Sequence, residues 1–227
     1  MVATTRHHPR VARVLVIDDG SLDGTSGAAR AAGAETFPAH HARPGHPRGK
    51  GNAMSTGLAL TQTPLVMFLD ADVTDARTEW IDLLLHPLDS CPETVLVKGH
   101  YRRHLYASGK AGQNEGGRVN ALLARPLLRA LAPDLSNILQ PLAGECAART
   151  SALRHLSLEP GYAVEIGLLL DVAAEYGPHA IAQADLGTRT HRNRPLAELE
   201  RHADLILEAV LRRQPAQRRV PVRSRIA

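Results

Sequence analysis

Aromatic residues make up only 3% of the 227 positions, and cysteine occurs twice. So few aromatics leave little for nucleobases to stack on, which argues against a single-stranded nucleic-acid partner. Cys91 and Cys146 are far apart and form no CxxC pair, so neither a disulfide framework nor a zinc ribbon is indicated. Long apolar runs are missing too. A bilayer span takes about 20 apolar residues, whereas the longest run, Ile166–Leu170, is bounded by Glu165 and Asp171. The opening MVATTRHHPR is charged, and no apolar stretch with a cleavage site follows it. Together these absences predict a cytoplasmic protein with reduced thiols and no membrane partner.

Lysine is scarce as well: Lys50, Lys98 and Lys110 are the only three among 27 basic residues. The formal charge of +4 could suggest nucleic acid, but six arginines lie between Arg212 and Arg225 with no acid among them. Without them the remainder is slightly acidic, so the basicity belongs to the tail and no nucleic-acid partner is expected.

What is present is a globular composition, 44% hydrophobic, with a strand and helix alternation. Val11–Ile17 is a β-branched run that ends in the polar turn DDGSLDGT. Asp23 is placed to cap a helix over Gly24–Ala32, and Glu35–Ala39 reads as a second strand. HHARPGHPRGKG is a loop, followed by helix Asn52–Thr61, strand Pro64–Leu69, helix Glu79–Leu88 and strand Thr94–His100. The second half predicts a helix over Gly116–Leu131, an extended Ile138–Ala148 and a helix over Tyr162–Tyr176. A strand over Ala180–Thr188 and a helix over Leu196–Arg213 complete it. This spacing predicts an α/β fold with a mostly parallel sheet flanked by helices.

Three short motifs can carry chemistry. Asp70-Ala71-Asp72 ends an apolar strand, where parallel sheets place ligands, and two carboxylates one residue apart can offer oxygens to a hard cation. Alone, DxD more often marks a solvated turn. Asp18-Asp19-Gly20-Ser21 follows the first strand; its glycine permits close backbone approach and its acids can meet a ribose or base edge. The bland alternative is an ordinary turn with a helix cap. Gly49-Lys50-Gly51 opens a helix and suits a phosphate, although GxxxxGK[ST] spacing is absent. Glu165 shares a helical face with Leu168, Leu169 and Val172. A carboxylate there must be paired, with Arg149 or Arg189, or used.

In order, a DGSxDxT turn, a GKG helix start and a strand ending in DxD resemble the nucleotide-sugar GT-A domains. Farther on, VKGHYRR (Val97–Arg103), GGRVNALLARPLL (Gly116–Leu128), LQPLAGE (Leu139–Glu145), GYAVEIGLLLD (Gly161–Asp171) and AQADLGTRTHRNRPL (Ala182–Leu196) resemble the glucosyl-3-phosphoglycerate synthases. The likeness covers residues 11–200. It implies one GT-A domain over 1–213, with a nucleotide-binding half (11–100) and an acceptor-binding half (101–213), and a basic flexible tail over 214–227. It implies a retaining transfer of glucose from UDP- or GDP-glucose to the 2-hydroxyl of 3-phospho-D-glycerate, and a homodimer.

Residue by residue, the resemblance makes Asp72 the main ligand of Mg²⁺, Mn²⁺ or Co²⁺, with His191 adding an imidazole. Asp19, Gly20, Ser21, Lys50, Asp70 and Tyr162 fall on the donor. Gly117, Arg118, Asn120, Asn193 and Arg194 fall on the acceptor; a guanidinium at a helix start suits a phosphate or carboxylate. Glu165 is catalytic with Asp72, more as an orienter of the sugar than as a base.

Three departures stand out: Asn120 where mycobacterial-type members carry threonine, Ala163 where GYGVE is usual, and the front. Members open with another strand and helix carrying a P-A-x-[ND]-E-like segment that contacts uracil. Without that strand, exposed apolar surface and a weakened base pocket are expected. Other GT-A activities, mannosyl-3-phosphoglycerate or polyprenyl-phosphate transfer, and a non-catalytic remnant are the competing readings.

Overall fold

The computed structural model describes residues 1–39, 49–107, 110–113, 117–191 and 196–214, with side chains described outside 103–107, 110–113, 190–191 and 196–198. The elements run α1 (Val2–Thr5), β1 (Leu15–Asp18), α2 (Thr25–Ala31), β2 (Glu35–Pro38), α3 (Lys50–Leu60), β3 (Leu65–Phe68) and α4 (Glu79–Ser90). There follow β4 (Leu96–Ala107), β5 (Lys110–Gln113), α5 (Arg125–Leu131), β6 (Cys146–Arg149), α6 (Thr150–Arg154), α7 (Val164–Tyr176), β7 (Ile181–His191) and α8 (Leu196–Arg212). The predicted strand and helix alternation is present, with boundaries moved by a few residues.

The sheet pairing differs from a simple parallel ladder. β1 and β2 pair in parallel as a sheet of their own, Leu15 opposite Glu35. The larger sheet has β6 between β3 and β4, antiparallel to both, so that β3 and β4 point the same way. β7 joins the other edge of β4 in parallel, and β5 turns back on its far end. The common direction of β3, β4 and β7 sends their C-terminal ends toward one side of the molecule. All four β1 residues are half-buried, and β3 is fully buried only at Val66. Apolar surface is thus partly open on both strands.

The sheet separates two apolar layers. On one face α4 presents Trp80, Ile81, Leu84, Leu85 and Leu88 at helical spacing to Val97, Ala147, Ala184 and Leu186. Trp80 Nε1 donates to the Leu186 carbonyl at 3.0 Å, satisfying the one polar atom of the largest side chain there. On the other face α3, α5, α6, α7 and α8 surround the larger cluster. α7 buries Val164 through Leu170 and Val172, so its first two turns are enclosed, while Ala174 and Glu175 in its last turn are exposed.

Two predicted elements are interrupted, each for a local reason. The predicted helix over 116–131 runs on from Arg118 to Leu131, but it widens to a π-turn at Asn120–Ala124 ahead of α5. Pro126 lacks an N–H and cannot continue the α ladder, and a wider turn absorbs the break. Of the extended stretch 138–148, only Cys146–Arg149 forms a strand. Ahead of it the backbone bonds to side chains: Leu142 N donates to Asn120 Oδ1, and the Ala143 carbonyl accepts from Lys98 Nζ. Those groups are satisfied without a ladder partner. No described helix is long and apolar enough to cross a membrane.

Candidate active site

The C-terminal ends of β3 and β7, the middle of β4 and the first turns of α3 and α7 meet at a cavity of about 400 Å³. Lys50, Asp70, Asp72, Gly117, Arg118, Asn120, Tyr162 and Glu165 all line it. Eight of the predicted site residues, drawn from both halves of the chain, therefore converge.

Lys50 is the first residue of α3. Its ammonium forms an ion pair with Asp70 and another, at 2.8 Å, with Glu165 Oε1. Two glycine positions let it stand there. A Cβ on Gly144 would collide with the Lys50 ammonium and the Asp70 carboxylate, and one on Gly49 would run into the Gly161 backbone. Burial pulls the lysine pKa down, but Glu165 and Asp70 outweigh it and hold the value above the ordinary lysine range. Asp70 is the mirror image: burial disfavours its charge, and Lys50, then Arg189, hold its pKa below the usual carboxylate range. Glu165 is therefore paired with lysine. Arg149 is used elsewhere, donating to the carbonyls of Thr94 and Leu88 at 2.8 Å each.

A second buried group lies beside the first. Arg189, near the end of β7, donates through Nη1 to Glu145 Oε1 at 2.6 Å and to the Tyr101 hydroxyl at 2.9 Å. Its Nη2 lies 3.5 Å from Asp72 Oδ1. Burial opposes the guanidinium charge, and Glu145, Tyr101 and Asp70 restore it. Glu145 is fully enclosed; burial, reinforced by Asp70, raises its pKa. Among the described residues, Arg189 Nε and Glu145 Oε2 are buried with no hydrogen-bond partner.

Asp70 and Asp72 divide the work. The Asp70 side chain is 25% exposed and locked to Lys50, whereas Asp72 is 69% exposed and faces the opening. Among the described residues, no group of three or more His, Cys, Asp and Glu side chains is placed to share a metal ion. A strand-end pair of carboxylates with one open member does fit an ion such as Mg²⁺ or Mn²⁺. Such ions take one or two protein carboxylates and complete their shell with water and substrate phosphate.

The other wall begins at Gly117, where the backbone turns through φ +87° ahead of Arg118. Asn120 is buried, and its Oδ1 accepts from Leu142 N at 3.0 Å, so this side chain braces the wall. Tyr162 stacks against His202 of α8 with ring centroids 4.4 Å apart, and Leu199 and Ile206 line the same side.

Asp19, Gly20 and Ser21 sit at the end of β1, outside the cavity lining. Asp18 organises that turn: Ser26, then the backbone of Ser21, hydrogen-bonds its carboxylate and pulls the pKa down to about 2. Asp19 Oδ1 is buried with no hydrogen-bond partner among the described residues. His191 is the last residue of β7, but its side chain lies outside the described residues, as do Asn193, Arg194 and the tail from 215. The roles of Glu145, Lys98, Tyr101 and His202 were not visible in the sequence, although the first three fall within the LQPLAGE and VKGHYRR segments.

Residues 4–153 match the family described as Glycosyl transferase family 2. A glucosyl-3-phosphoglycerate synthase of Mycolicibacterium smegmatis is 43% identical over 205 residues, covering 89% of this chain and 68% of that protein. The one from Mycolicibacterium paratuberculosis is 44% identical over 208 residues, covering 89% of this chain and 63% of its own length. The chain thus spans about two-thirds of these curated relatives. The glucosyl-3-phosphoglycerate synthase of Mycobacterium tuberculosis, solved with Mn²⁺, UDP-glucose and phosphoglyceric acid, superposes with a TM-score of 0.78 at 41% identity, covering 89% of this chain and 69% of that one. A DxD at a strand end, a lysine tied to a carboxylate on a buried helix and a sequence match across both halves agree. The chain belongs to glycosyl transferase family 2, among the glucosyl-3-phosphoglycerate synthases.

Proposed function

We propose that this protein transfers glucose from a nucleoside diphosphate glucose, UDP-glucose or GDP-glucose, to the 2-hydroxyl of 3-phospho-D-glycerate, with retention at the anomeric carbon. The observation that carries the reading is the single cavity joining the Asp70–Asp72 strand end to Arg118 and Asn120. A donor diphosphate and an anionic acceptor can meet there. The tuberculosis enzyme was solved with UDP-glucose and phosphoglyceric acid together, which supports the same pairing here.

Asp72 would hold the divalent ion, Mn²⁺ as in that enzyme or Mg²⁺, with His191 adding an imidazole. When bound, the ion supplies positive charge to the departing diphosphate. Arg118, with Gly117, Asn120, Asn193 and Arg194, binds and orients the acceptor through charge-assisted hydrogen bonds, the proximity contribution to the rate. Tyr162 walls the sugar pocket, and Asp19, Gly20 and Ser21 serve the nucleoside. Glu165 orients the sugar hydroxyls; its carboxylate is already committed to Lys50, which suits an orienter better than a nucleophile. Attack then occurs on the face the diphosphate leaves. The acceptor O2–C1 bond forms as the C1–phosphate oxygen bond breaks, and the hydroxyl proton passes to the departing oxygen. Family membership alone supports extending this reading to a cytoplasmic homodimer.

The test is a mass-spectrometric assay with UDP- or GDP-glucose, 3-phosphoglycerate and Mn²⁺. A glucosylated phosphoglycerate that disappears in Asp72→Ala supports the assignment. Product with a different acceptor, and none with 3-phosphoglycerate, would replace it.

A further inference from the structure

Beneath the cavity lies a charged side chain that the proposed chemistry leaves unused. Lys98 of β4 is 1% exposed, and burial lowers its pKa. An ammonium in an interior is costly unless it is paired and hydrogen-bonded. Lys98 Nζ donates to the Ala143 carbonyl at 2.5 Å.

Ala143 lies within the turn that leads into β6, and its neighbours reach three parts of the site. Leu142 N is the donor to Asn120 Oδ1 on the acceptor wall. Gly144 packs against the Lys50 ammonium and the Asp70 carboxylate with no room for a Cβ. Glu145 accepts from Arg189, which faces Asp72. The site therefore depends on where this turn sits, and the buried ammonium is bonded to its middle.

We propose that Lys98 is a positioning residue for the transfer reaction: its bond to Ala143 fixes the turn at 142–145, and so fixes Asn120, the Lys50–Asp70 pair and Arg189 in their working places. The inference rests on the reading of the cavity as the donor and acceptor site. It adds a buried group that does not itself line the cavity. Displacement of catalytic groups by about 1 Å costs on the order of 100-fold in rate, and the turn governs three such groups at once.

The test compares Lys98→Met, which keeps volume and removes the donor, with Lys98→Gln, which keeps a shorter donor. Val97→Ala is the control; Val97 precedes Lys98 on the strand but packs in the cluster under α4, so it loses stability without touching the turn. Steady-state kinetics with UDP-glucose, 3-phosphoglycerate and Mn²⁺ are read beside the melting temperature. The expected result is a fall in kcat of about 30- to 100-fold in Lys98→Met and of about fivefold in Lys98→Gln, with KM values changed by no more than about threefold. Val97→Ala should keep kcat within about twofold. A folded Lys98→Met with kcat within about threefold of wild type overturns the inference, as does a loss matching that of Val97→Ala. If Lys98→Met does not fold, Lys98→Gln decides: a kcat drop beyond that of Val97→Ala supports the inference, and wild-type kcat overturns it. A wild-type chain that forms no product overturns the proposed function and this inference together. A working wild type beside an equally active Lys98→Met overturns the inference alone.

Discussion

The floor and the rim of the cavity are built on opposite plans. On the floor, short ion pairs join Lys50 to Asp70 and Glu165, and Arg189 to Glu145, in a largely enclosed setting. At the rim, Asp72 is mostly exposed and Arg118 is open to solvent. Preorganised charge belongs where water is excluded and reorganisation would be costly. Groups that must capture and release ligands belong where they can move. The difference teaches that stability and activity should separate along this boundary.

The sharpest break in the comparison is Lys50→Met. Removing one partner of a buried pair leaves the other charge uncompensated, at a cost of about 3–5 kcal/mol; here two carboxylates, Asp70 and Glu165, lose their cation together. Urea unfolding should show a loss of that size, and activity should vanish. Asp72→Ala at the rim should also lower kcat by about 10²- to 10³-fold, yet unfold within about 0.5 kcal/mol of wild type. Equal stability losses in the two variants would dissolve the distinction between floor and rim.

A smaller effect is expected at the acceptor wall. Arg118→Ala removes a charge-assisted bond worth about 1.5–3 kcal/mol, which corresponds to a rise of about ten- to hundredfold in KM for 3-phosphoglycerate. KM for the donor should hardly move. A donor KM that rises in step would shift Arg118 to the diphosphate and redraw the two halves of the cavity.

How much of this was legible beforehand follows from the range of the interactions. Asp70 and Asp72 announced themselves as a pair next to each other in sequence, Lys50 by its glycine neighbours, and Glu165 by its place on an apolar stripe. Strand and helix order was readable from local periodicity, because α7 and β3 carry their burial pattern in their own residues. The partner of Glu165 was not readable. Lys50 lies 115 positions away and reaches it only because Gly49, Gly51 and Gly144 admit close approach. Arg189, Glu145 and Lys98 meet through the order β6–β4–β7, and strand order is a long-range choice that no local pattern records. The antiparallel insertion of β6 was hidden for the same reason.

The acid limb of the stability curve probes the floor by another route. The folded pKa of Asp70 lies below its unfolded value of about 3.9. Between those two values the unfolded chain binds more protons, so stability rises with pH. The contribution is complete above the unfolded pKa and is lost as pH falls through the folded one. Asp70→Asn should therefore flatten the decline of the urea midpoint below about pH 4. A wild-type midpoint that does not fall across that range would mean that Lys50 does not hold Asp70 ionised.

The mildest probe touches the rim alone. Tyr162 and His202 stack at 4.4 Å with their planes inclined by 35°, joining the turn before α7 to α8 across the opening. An aromatic pair of this kind contributes about 0.5–1.5 kcal/mol beyond burial. His202→Ala should therefore raise KM by about two- to tenfold and leave kcat nearly unchanged, because Lys50, Glu165 and Asp70 keep their places without α8. Rim and floor would then respond in different kinetic constants, KM for the wall and kcat for the ion pairs. If kcat falls instead, α8 is acting on the floor, and the route to examine is its own far end. Arg213 there bonds Asp171 of α7 and Glu159, next to the turn that carries Tyr162. Loosening His202 would then be felt by Glu165 through α7, and the boundary between the two plans would lie farther out, at α8 itself.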